Sequence, residues 1–281
     1  MRRFALLLLF GLSLTQAGGA ATNAPRYLPV DMRFFDAAHG FVRLEPVLRC
    51  RSCRPRIERT DDGGRRWRTT SLARLPLPPV ESRFRATWRT GSRRTLQLAA
   101  VVGPSVAWAT SQSRTGAGSQ LFVSRDGGRS WGRVKVPCGR PLAFYRPLVA
   151  AVSARHAWLL CLGQPGAGQQ NKALYETADG RTWRLRRSLS GSGYGLALAF
   201  ASKGFGLLAE SRGGVLVTRD GGRTWRLASM TSPEIAEPQA IDVLRPAMGL
   251  VLVRDDRSGR ALELYRTRKA GPGWDPVHVW R

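Results

Sequence analysis

Beyond its first residues, the sequence lacks a long hydrophobic run and lacks helical periodicity. After residue 21, no apolar stretch approaches the ~20 residues that a membrane-spanning helix requires. No segment repeats apolar residues with a period of about 3.6, so we expect almost no helix. Disorder is excluded as well, because 43% of the residues are hydrophobic and nine are tryptophan. These absences leave a folded protein built mainly from β-strands.

Lysine, acidic residues and histidine are also scarce. The 281 residues include 45 Lys or Arg, of which only four are lysine, against 19 Asp or Glu and three His, so the formal net charge is +26. This charge suits an acidic partner such as a polyanion. It equally suits a compositional origin, since GC-rich genomes encode arginine-rich, lysine-poor proteins. The arginines are spread throughout the chain, which favours the compositional origin for most of them.

The N-terminus has the pattern of a secretory signal. Met1, Arg2 and Arg3 give a basic start, residues 4–14 form a short apolar run, and small residues follow as far as Ala21. Such a run is too short to span a bilayer and is typical of a cleaved export signal. We predict a signal peptide over residues 1–21, with cleavage near Ala20 or Ala21. The mature chain is then expected to be soluble, and secreted or held in the periplasm or cell envelope.

The four cysteines form an even set, which favours disulfides outside the cytoplasm. We predict that Cys50 and Cys53 close a hairpin loop and that Cys138 and Cys161 join neighbouring strands. Cys50 and Cys53 could instead form half of a zinc site or a redox-active pair. Zinc is disfavoured because the other two cysteines lack the tight spacing and the histidines are scattered. We therefore predict no metal and no cofactor.

Two short patterns recur five times in phase. The first, termed the box, ends in tryptophan and occupies residues 60–67, 124–131, 177–183, 218–225 and, in a decayed copy, 267–274. The second, termed the small–large pair, precedes each box: Gly40-Phe41, Ala107-Trp108, Ala157-Trp158, Gly204-Phe205 and Gly249-Leu250. A period of about 40–50 residues indicates a repeat architecture.

Each repeat carries the turn and strand signals of four short strands. In the fourth repeat we predict strands at 196–200, 205–209, 215–218 and 225–227. Four-stranded antiparallel units repeated around an axis form a β-propeller. We therefore predict an all-β fold, a single β-propeller domain over residues 24–281 with five blades, six or seven being alternatives. Its repeats lie near 27–72, 96–137, 146–187, 195–229 and 238–281.

The residue types of the boxes have structural explanations. Asp and Ser/Thr side chains hydrogen-bond turn backbone, glycine permits positive φ, and tryptophan packs between sheets. A single Asp in each loop supplies too few oxygens for calcium, which takes about six to eight. The expected structural residues are Thr60, Asp62, Gly64, Trp67, Ser124, Asp126, Gly128, Trp131, Thr177, Asp179, Trp183, Thr218, Asp220, Gly222 and Trp225.

The pattern Ser/Thr-x-Asp-x-Gly-x-Thr/Ser-Trp resembles the Asp-box, or bacterial neuraminidase repeat. That repeat occurs in sialidases, sortilin-type receptors and the photosystem II stability/assembly factor family. The resemblance covers most of the mature chain and is strongest for the last group and its non-photosynthetic bacterial relatives, whose repeat unit is similar to residues 34–41 and 218–225. It implies a β-propeller in which the boxes are structural and function lies on other surfaces.

No catalytic residue is predicted. The resemblance to sialidases implies a Phe/Tyr-Arg-Ile-Pro motif ahead of the boxes, and nothing before Thr60 matches it. A sialidase-like glycoside hydrolase remains the enzymatic alternative. His39 and His156 share one turn position of the repeat, where we expect a solvated or turn-bonding role. Residues 163–172 resemble a phosphate loop but lack its Gly-Lys-Ser/Thr ending, so we expect a hairpin loop.

The longest departure from the repeat lies between the first two boxes. Residues 69–95 hold a proline-rich apolar run followed by basic and aromatic residues. This is either an extended edge strand with solvated charges or a recognition loop. The candidate binding residues of that loop are Arg83, Arg85, Trp88, Arg89, Arg93 and Arg94.

Taken together, the sequence favours a non-enzymatic, monomeric scaffold or binding protein. Its expected partner is a protein or an acidic polymer of the cell envelope or exterior, and no specific nucleic acid. For photosynthetic relatives the resemblance implies assembly of photosystem II, so an assembly factor for a membrane protein complex is the narrowest form of this prediction.

Overall fold

The described part of the chain consists of β-strands and the turns that join them. The computed structural model describes residues 27–34, 36–46, 54–70, 96–111, 120–139, 142, 145, 147–191, 193–212, 214–230, 237–244, 248–254, 262–267 and 273–280. These residues form 21 strands and no helix, as the missing helical periodicity predicts. Accordingly, they contain no helix long and apolar enough to cross a membrane.

Five antiparallel blades follow one another along the chain, which confirms the predicted five-bladed β-propeller. Blade 1 consists of β1 (Tyr27–Phe34), β2 (Gly40–Pro46), β3 (Arg56–Thr60) and β4 (Arg68–Thr70). Blade 2 consists of β5 (Leu96–Val102), β6 (Val106–Ser111), β7 (Gln120–Ser124) and β8 (Gly132–Val134). Blade 3 consists of β9 (Leu148–Ala151), β10 (Ala157–Gly166), β11 (Gln169–Thr177) and β12 (Arg184–Leu189).

The last two blades are joined by an additional short strand. Blade 4 consists of β13 (Tyr194–Phe200), β14 (Gly206–Ser211), β15 (Gly214–Thr218) and β16 (Arg226–Leu227). Blade 5 consists of β18 (Glu237–Leu244), β19 (Met248–Arg254), β20 (Leu262–Thr267) and β21 (Gly273–Trp280). Between them, β17 (Ser229–Met230) pairs in parallel with the outer strand β21. The chain therefore leaves blade 4 along the edge of blade 5 before it enters that blade.

The first strands of the blades lie next to one another at the centre of the propeller. β9 contacts β5 and β13, and β18 contacts β13 and β1. Because the strands of a blade alternate in direction, the box turns lie on the same face as the turns between first and second strands. This is termed the box face. The opposite loop face carries the hairpins between second and third strands and the connections between blades.

The strand boundaries in blade 4 lie close to the predicted ones. The first strand begins at Tyr194 rather than Leu196, and the second begins at Gly206 rather than Phe205. The third and fourth strands begin within one residue of their predicted starts. Turn residues thus located the strands, while pairing with the neighbouring strand decided how far each one extends.

The two sequence patterns meet in the apolar clusters between blades. At each of four junctions, the large residue of one small–large pair shares a cluster with the box tryptophan of the next blade. The rings of Trp108 and Trp183, for example, pack edge to face with centroids 6.1 Å apart. The four pairs are Trp108–Trp183, Trp158–Trp225, Phe205–Trp274 and Leu250–Trp67. The patterns are in phase along the chain because they are in contact across the junctions.

Each box turn satisfies its own polar groups. In blade 4 the Thr218 hydroxyl donates to Asp220 Oδ1 (2.9 Å) and accepts from the Gly222 N–H (2.8 Å). The same carboxylate oxygen accepts from the N–H groups of Arg223 (3.0 Å) and Thr224 (2.9 Å). Equivalent hydrogen bonds recur in the boxes of blades 1, 2 and 3. The aspartates are thus directed at their own turns.

The second glycine of a box is required by both backbone and packing. Gly64 and Gly222 have φ of 92° and 90°, a region that L side chains rarely adopt. A Cβ on Gly64 would lie 2.5 Å from Leu264 Cδ2 of blade 5, and one on Gly222 would overlap Leu174 of blade 3. The turn therefore fits against the preceding blade only with glycine.

Hydrogen bonds within the boxes lower the pKa of their carboxylates. The side-chain and backbone groups of Ser130 lower the pKa of Asp126 to about 2. Burial raises the pKa of Asp220, but hydrogen bonds from Thr224 and Thr218 outweigh it and bring the pKa to about 2. Because both values lie below the ordinary 3.8, the folded state favours the ionised form.

We predict that acid weakens the propeller through these carboxylates. A folded-state pKa below the unfolded value contributes stability above pH ~4, and this contribution is lost as the pH falls toward ~2. Asp220→Asn should lower the free energy of unfolding at pH 7, and the difference from wild type should shrink as the pH falls from 4 to 2. Urea titrations across this range measure it.

The matched control is Asp61→Asn, which removes an exposed carboxylate that lies 3.0 Å from the Arg59 side chain. If both variants change the pH dependence equally, the turn hydrogen bonds are not its source.

We also predict that Trp225 stabilises the junction between blades 3 and 4. Its ring packs edge to face against Phe200 at 6.2 Å, and its indole N–H donates to Gly222 O at 3.2 Å. Trp225→Ala should lower the free energy of unfolding by about 2–4 kcal/mol, because the ring is only partly buried. Thermal melting measures the effect, and ligand affinity per folded molecule should be unchanged. Leu227→Ala, at a side chain 65% exposed, is the control and should leave the melting temperature nearly as it is.

Candidate binding site

A cavity of about 620 Å³ opens on the loop face at the junction of blades 3 and 4. Every strand end that contributes to it lies on this face, at the start of a first or third strand or at the end of a second strand. Its lining residues are Tyr145, Leu148, Leu162, Pro165, Gln170, Tyr194, Gly195 and Leu196. The site is therefore assembled from two neighbouring repeats, on the side of the propeller away from the boxes.

Close packing between the two blades shapes the floor of the cavity. A Cβ on Gly195 would lie 2.8 Å from Leu162 Cδ2, so the first strand of blade 4 can approach β10 only because residue 195 is glycine. Leu196, the next residue, is 42% exposed. This approach places the apolar side chain of Leu196 at the mouth of the cavity and the backbone of Gly195 at its floor.

Gln170 is the buried polar residue of the lining. Only 3% of it is exposed, and both ends of its amide are occupied. Its Nε2 donates to Gly163 O at 2.8 Å, and its Oε1 accepts from the Gly195 N–H at 2.9 Å. The buried amide therefore holds blade 4 against blade 3, and each end of it is engaged by the fold in one hydrogen bond.

Tyr194 presents a hydroxyl beside a tight hairpin. The β10–β11 turn places Ala167 and Gly168 at φ of 48° and 81°, between the paired residues Gly166 and Gln169. The Gly168 N–H donates to the Tyr194 hydroxyl at 3.0 Å. Because that oxygen acts as an acceptor in this bond, the hydroxyl proton is available for donation to a ligand. The hairpin predicted for residues 163–172 is confirmed.

A buried ion pair joins the two blades beneath the cavity. Lys172 Nζ lies 3.0 Å from Glu210 Oε1, and the two side chains are 2% and 5% exposed. The ammonium group also donates to Gln170 O (3.1 Å) and Gly193 O (2.8 Å), which satisfies its three donors. A buried charge left without its partner is strongly destabilising. The pair therefore holds β11 of blade 3 against β14 of blade 4.

The remaining wall is formed by the connection between blades 2 and 3. A disulfide joins Cys138 in this connection to Cys161 in β10, with Cα atoms 5.4 Å apart. This is the predicted pairing, although Cys138 lies after β8 rather than in a strand. The next residue of β10, Leu162, accepts a hydrogen bond through its carbonyl from the Tyr145 N–H at 3.4 Å. Two consecutive residues of β10 thus hold the segment that carries Tyr145.

The polar groups of the described lining are few. They comprise two phenols and one amide, and the described lining residues include no carboxylate, imidazole, thiol or ammonium. Nor do the described residues contain a group of three or more His, Cys, Asp or Glu that could hold a metal. The cavity is suited to recognition through apolar contact and phenol hydroxyls.

The sequence-predicted sites fall in different places. Cys50, Cys53 and the candidate binding loop with Arg83, Arg85, Trp88, Arg89, Arg93 and Arg94 lie outside the described residues. The box residues of blades 1 to 4 lie on the box face. The cavity itself was not predicted. Two charged residues in apolar strands were the sequence signals that could have indicated it. Lys172, one of few lysines, lies beside an apolar segment of β11, and Glu210 lies at the end of an apolar segment of β14.

The expectation for the two turn histidines was half correct. His39 is exposed and its Nδ1 lies 2.8 Å from Asp36 Oδ2, as a turn-bonding role predicts. His156 occupies the equivalent turn, but only 9% of it is exposed. Its Nε2 lies 2.8 Å from Glu176 Oε1, and its ring packs on Trp158 at 4.7 Å. Burial lowers the pKa of His156 and outweighs the opposite effect of Glu176. The solvated role was wrong for this residue, because Trp158 and Glu176 enclose it.

Comparison with known proteins relates the chain to β-propellers of more than one function. No protein-family model matches the chain, and no curated protein matches it significantly. It is similar to YCF48 bound to a D1 peptide, at 16% identity and a TM-score of 0.44 over 91% of this chain and 69% of that one.

Two enzyme structures are similar to the same degree. The GH74 enzyme of Niastella koreensis matches at 15% identity and a TM-score of 0.45, over 90% of this chain and 37% of that one. The Hadza microbial sialidase Hz136 matches at 15% identity and a TM-score of 0.41, over 89% of this chain and 57% of that one. The chain is thus similar to YCF48 and sialidase β-propellers, and this likeness is one of fold.

Proposed function

We propose that the protein is exported and acts outside the cytoplasm as a non-enzymatic scaffold or binding protein, with the cavity on its loop face as the partner site. The observation that carries the proposal is the composition of the cavity. Its walls are apolar and aromatic, its amide is hydrogen-bonded within the fold, and its described lining residues include no carboxylate or imidazole. Such a surface binds without transforming what it binds.

The rigidity of the site supports the same proposal. The Lys172–Glu210 pair, the Gln170 amide and the Cys138–Cys161 bond each tie together parts of the chain that line the cavity. A preorganised site loses less conformational entropy when a partner binds. The disulfide also fits a protein that leaves the cytoplasm, as the signal pattern of residues 1–21 predicts.

The more specific form of the proposal is assembly of a membrane protein complex. It rests on the resemblance of the boxes and repeat unit to the photosystem II stability/assembly factor family. In this form the propeller holds a segment of a partner protein at the loop face while the partner is incorporated into its complex.

Site-specific crosslinking in the native host tests the proposal. A photoreactive amino acid at Leu196, at the mouth of the cavity, should crosslink to a discrete partner protein of the envelope. The same group at Leu227, on the outer strand β16 and more exposed at 65%, is the matched control and should not. Equal crosslinking from both positions would remove the cavity from consideration as the partner site.

The non-enzymatic part of the proposal has its own assay. Purified protein should leave a fluorogenic sialoside unhydrolysed over a range of pH. Turnover that copurifies with the folded protein would instead establish the sialidase-like alternative.

A second candidate function is binding of acidic extracellular polymers. It is favoured by the net charge of +26 and by exposed basic residues on or beside the outer strands of blades 1 to 4. Those residues are Arg68, Arg133, Lys135, Arg184, Arg187 and Arg226. Polymer binding through such a surface would be electrostatic and would weaken as salt increases.

Deletion of residues 79–94 separates the candidate binding loop from the general charge. If the loop is a specific polymer site, the deletion should reduce the salt concentration needed for elution from an anionic matrix by more than the charge removed accounts for. The control replaces four exposed arginines elsewhere with glutamine, which removes the same net charge as the deletion of five arginines and Glu81, while circular dichroism verifies the fold. Equal loss of retention would assign the binding to net charge alone.

A further inference from the structure

An exposed guanidinium lies next to the β10–β11 hairpin, which contributes Pro165 and Gln170 to the cavity lining. Arg212 lies in the turn between β14 and β15, is exposed, and has φ of 59°, in the left-handed region. No described residue forms a hydrogen bond or an ion pair with its side chain. The nearest carboxylate along the chain, Glu210, is buried and neutralised by Lys172. Arg212 thus carries an uncompensated positive charge.

The β10–β11 turn lies close to both Arg212 and the Tyr194 hydroxyl. Arg212 Nη1 lies 3.5 Å from the point where a Cβ on Gly168 would be, and the Gly168 N–H donates to the Tyr194 hydroxyl at 3.0 Å. A guanidinium and a hydroxyl therefore both lie near the Ala167–Gly168 turn. Each of these groups can donate a hydrogen bond to a carboxylate.

We infer that the cavity recognises an extended peptide segment in which an acidic residue adjoins a bulky apolar residue. The apolar side chain enters between Leu148, Leu162 and Leu196, and the carboxylate accepts from Arg212 and Tyr194. This inference rests on the proposed function, because it names the chemistry of the partner at the same site.

The lining favours this ligand over a sugar or a basic segment. A sugar needs several hydrogen-bonding partners, whereas the Gln170 amide is already occupied and most of the lining is apolar. A basic segment would meet Arg212 and a protein of net charge +26. An acidic segment is attracted by both the local and the overall charge, which also increases its rate of association.

Peptide titrations test the inference directly. Three capped, fluorophore-labelled peptides are compared at 50 and 300 mM salt: Ala-Ala-Phe-Glu-Ala-Ala, its Glu-to-Gln analogue and its Phe-to-Ala analogue. Fluorescence anisotropy should show the first binding roughly three- to tenfold more tightly than either analogue at low salt, since an exposed ion pair and one apolar side chain each contribute modestly. The advantage over the Gln analogue should narrow at high salt.

Protein variants then locate the contact. Arg212→Gln should abolish the preference for Glu over Gln, and Arg212→Lys should restore part of it. Arg226→Gln removes an equally exposed arginine from the outer strand of the same blade and should leave the preference intact. Leu196→Asp should weaken the binding of both phenylalanine-containing peptides. Melting temperatures verify that each variant is folded.

The outcomes separate this inference from the proposed function. Equal binding of the Glu and Gln peptides, or equal effects of the Arg212 and Arg226 variants, overturns the acidic specificity even if Leu196 crosslinks a partner. Absence of measurable binding by all three peptides also overturns the inference. The proposed function is tested separately, by crosslinking from Leu196 against Leu227 and by the sialoside assay, whatever the peptides show.

Discussion

The contact between the small–large pair of one blade and the box tryptophan of the next is the interaction on which this propeller depends. A four-stranded blade is apolar on both sides, so each side must be covered by a neighbour. At the junction of blades 3 and 4, the Trp158 ring stacks on Phe200 at 3.7 Å and its N–H donates to Gly221 O at 3.0 Å. One side chain therefore fills the junction and hydrogen-bonds the box turn. The polar box turn and the apolar core of the junction therefore stabilise each other.

This arrangement commits the box face to structure and leaves the loop face free to vary. A box turn can hold its tryptophan only if threonine, aspartate and glycine keep their places, because each satisfies a backbone group or makes room for the preceding blade. The loop face has no such repeated requirement. The hairpins of blades 3 and 4 differ in sequence, and a glycine at 195 and a buried pair between Lys172 and Glu210 suffice to open a cavity between them.

The same difference explains how far the sequence alone could predict the structure. Blades follow from local signals that recur, so their number and order were predictable, and in blade 4 the strand starts were predicted to within two residues. The cavity has no local signal, because its lining comes from two repeats and a connection brought together only by folding. His156 illustrates the limit within a repeat. Its turn was predictable from its position in the repeat, whereas its burial depends on Trp158 in the following strand, β10, and on Glu176 in the neighbouring strand, β11.

Acidic residues are so few in this protein that the use of each one is informative. The box aspartates bind turn backbone, Glu176 holds both His156 and Arg186, and Glu210 is buried against Lys172. These carboxylates are engaged by the fold, and the sequence has 45 basic residues against 19 acidic ones, so an excess of arginine is a matter of composition. A guanidinium without a partner among the described residues is therefore no evidence of function by itself, and Arg226 resembles Arg212 in this respect. What distinguishes Arg212 is its place beside a hydroxyl donor and an apolar cavity, where a charge that is nonspecific elsewhere becomes part of a shaped site.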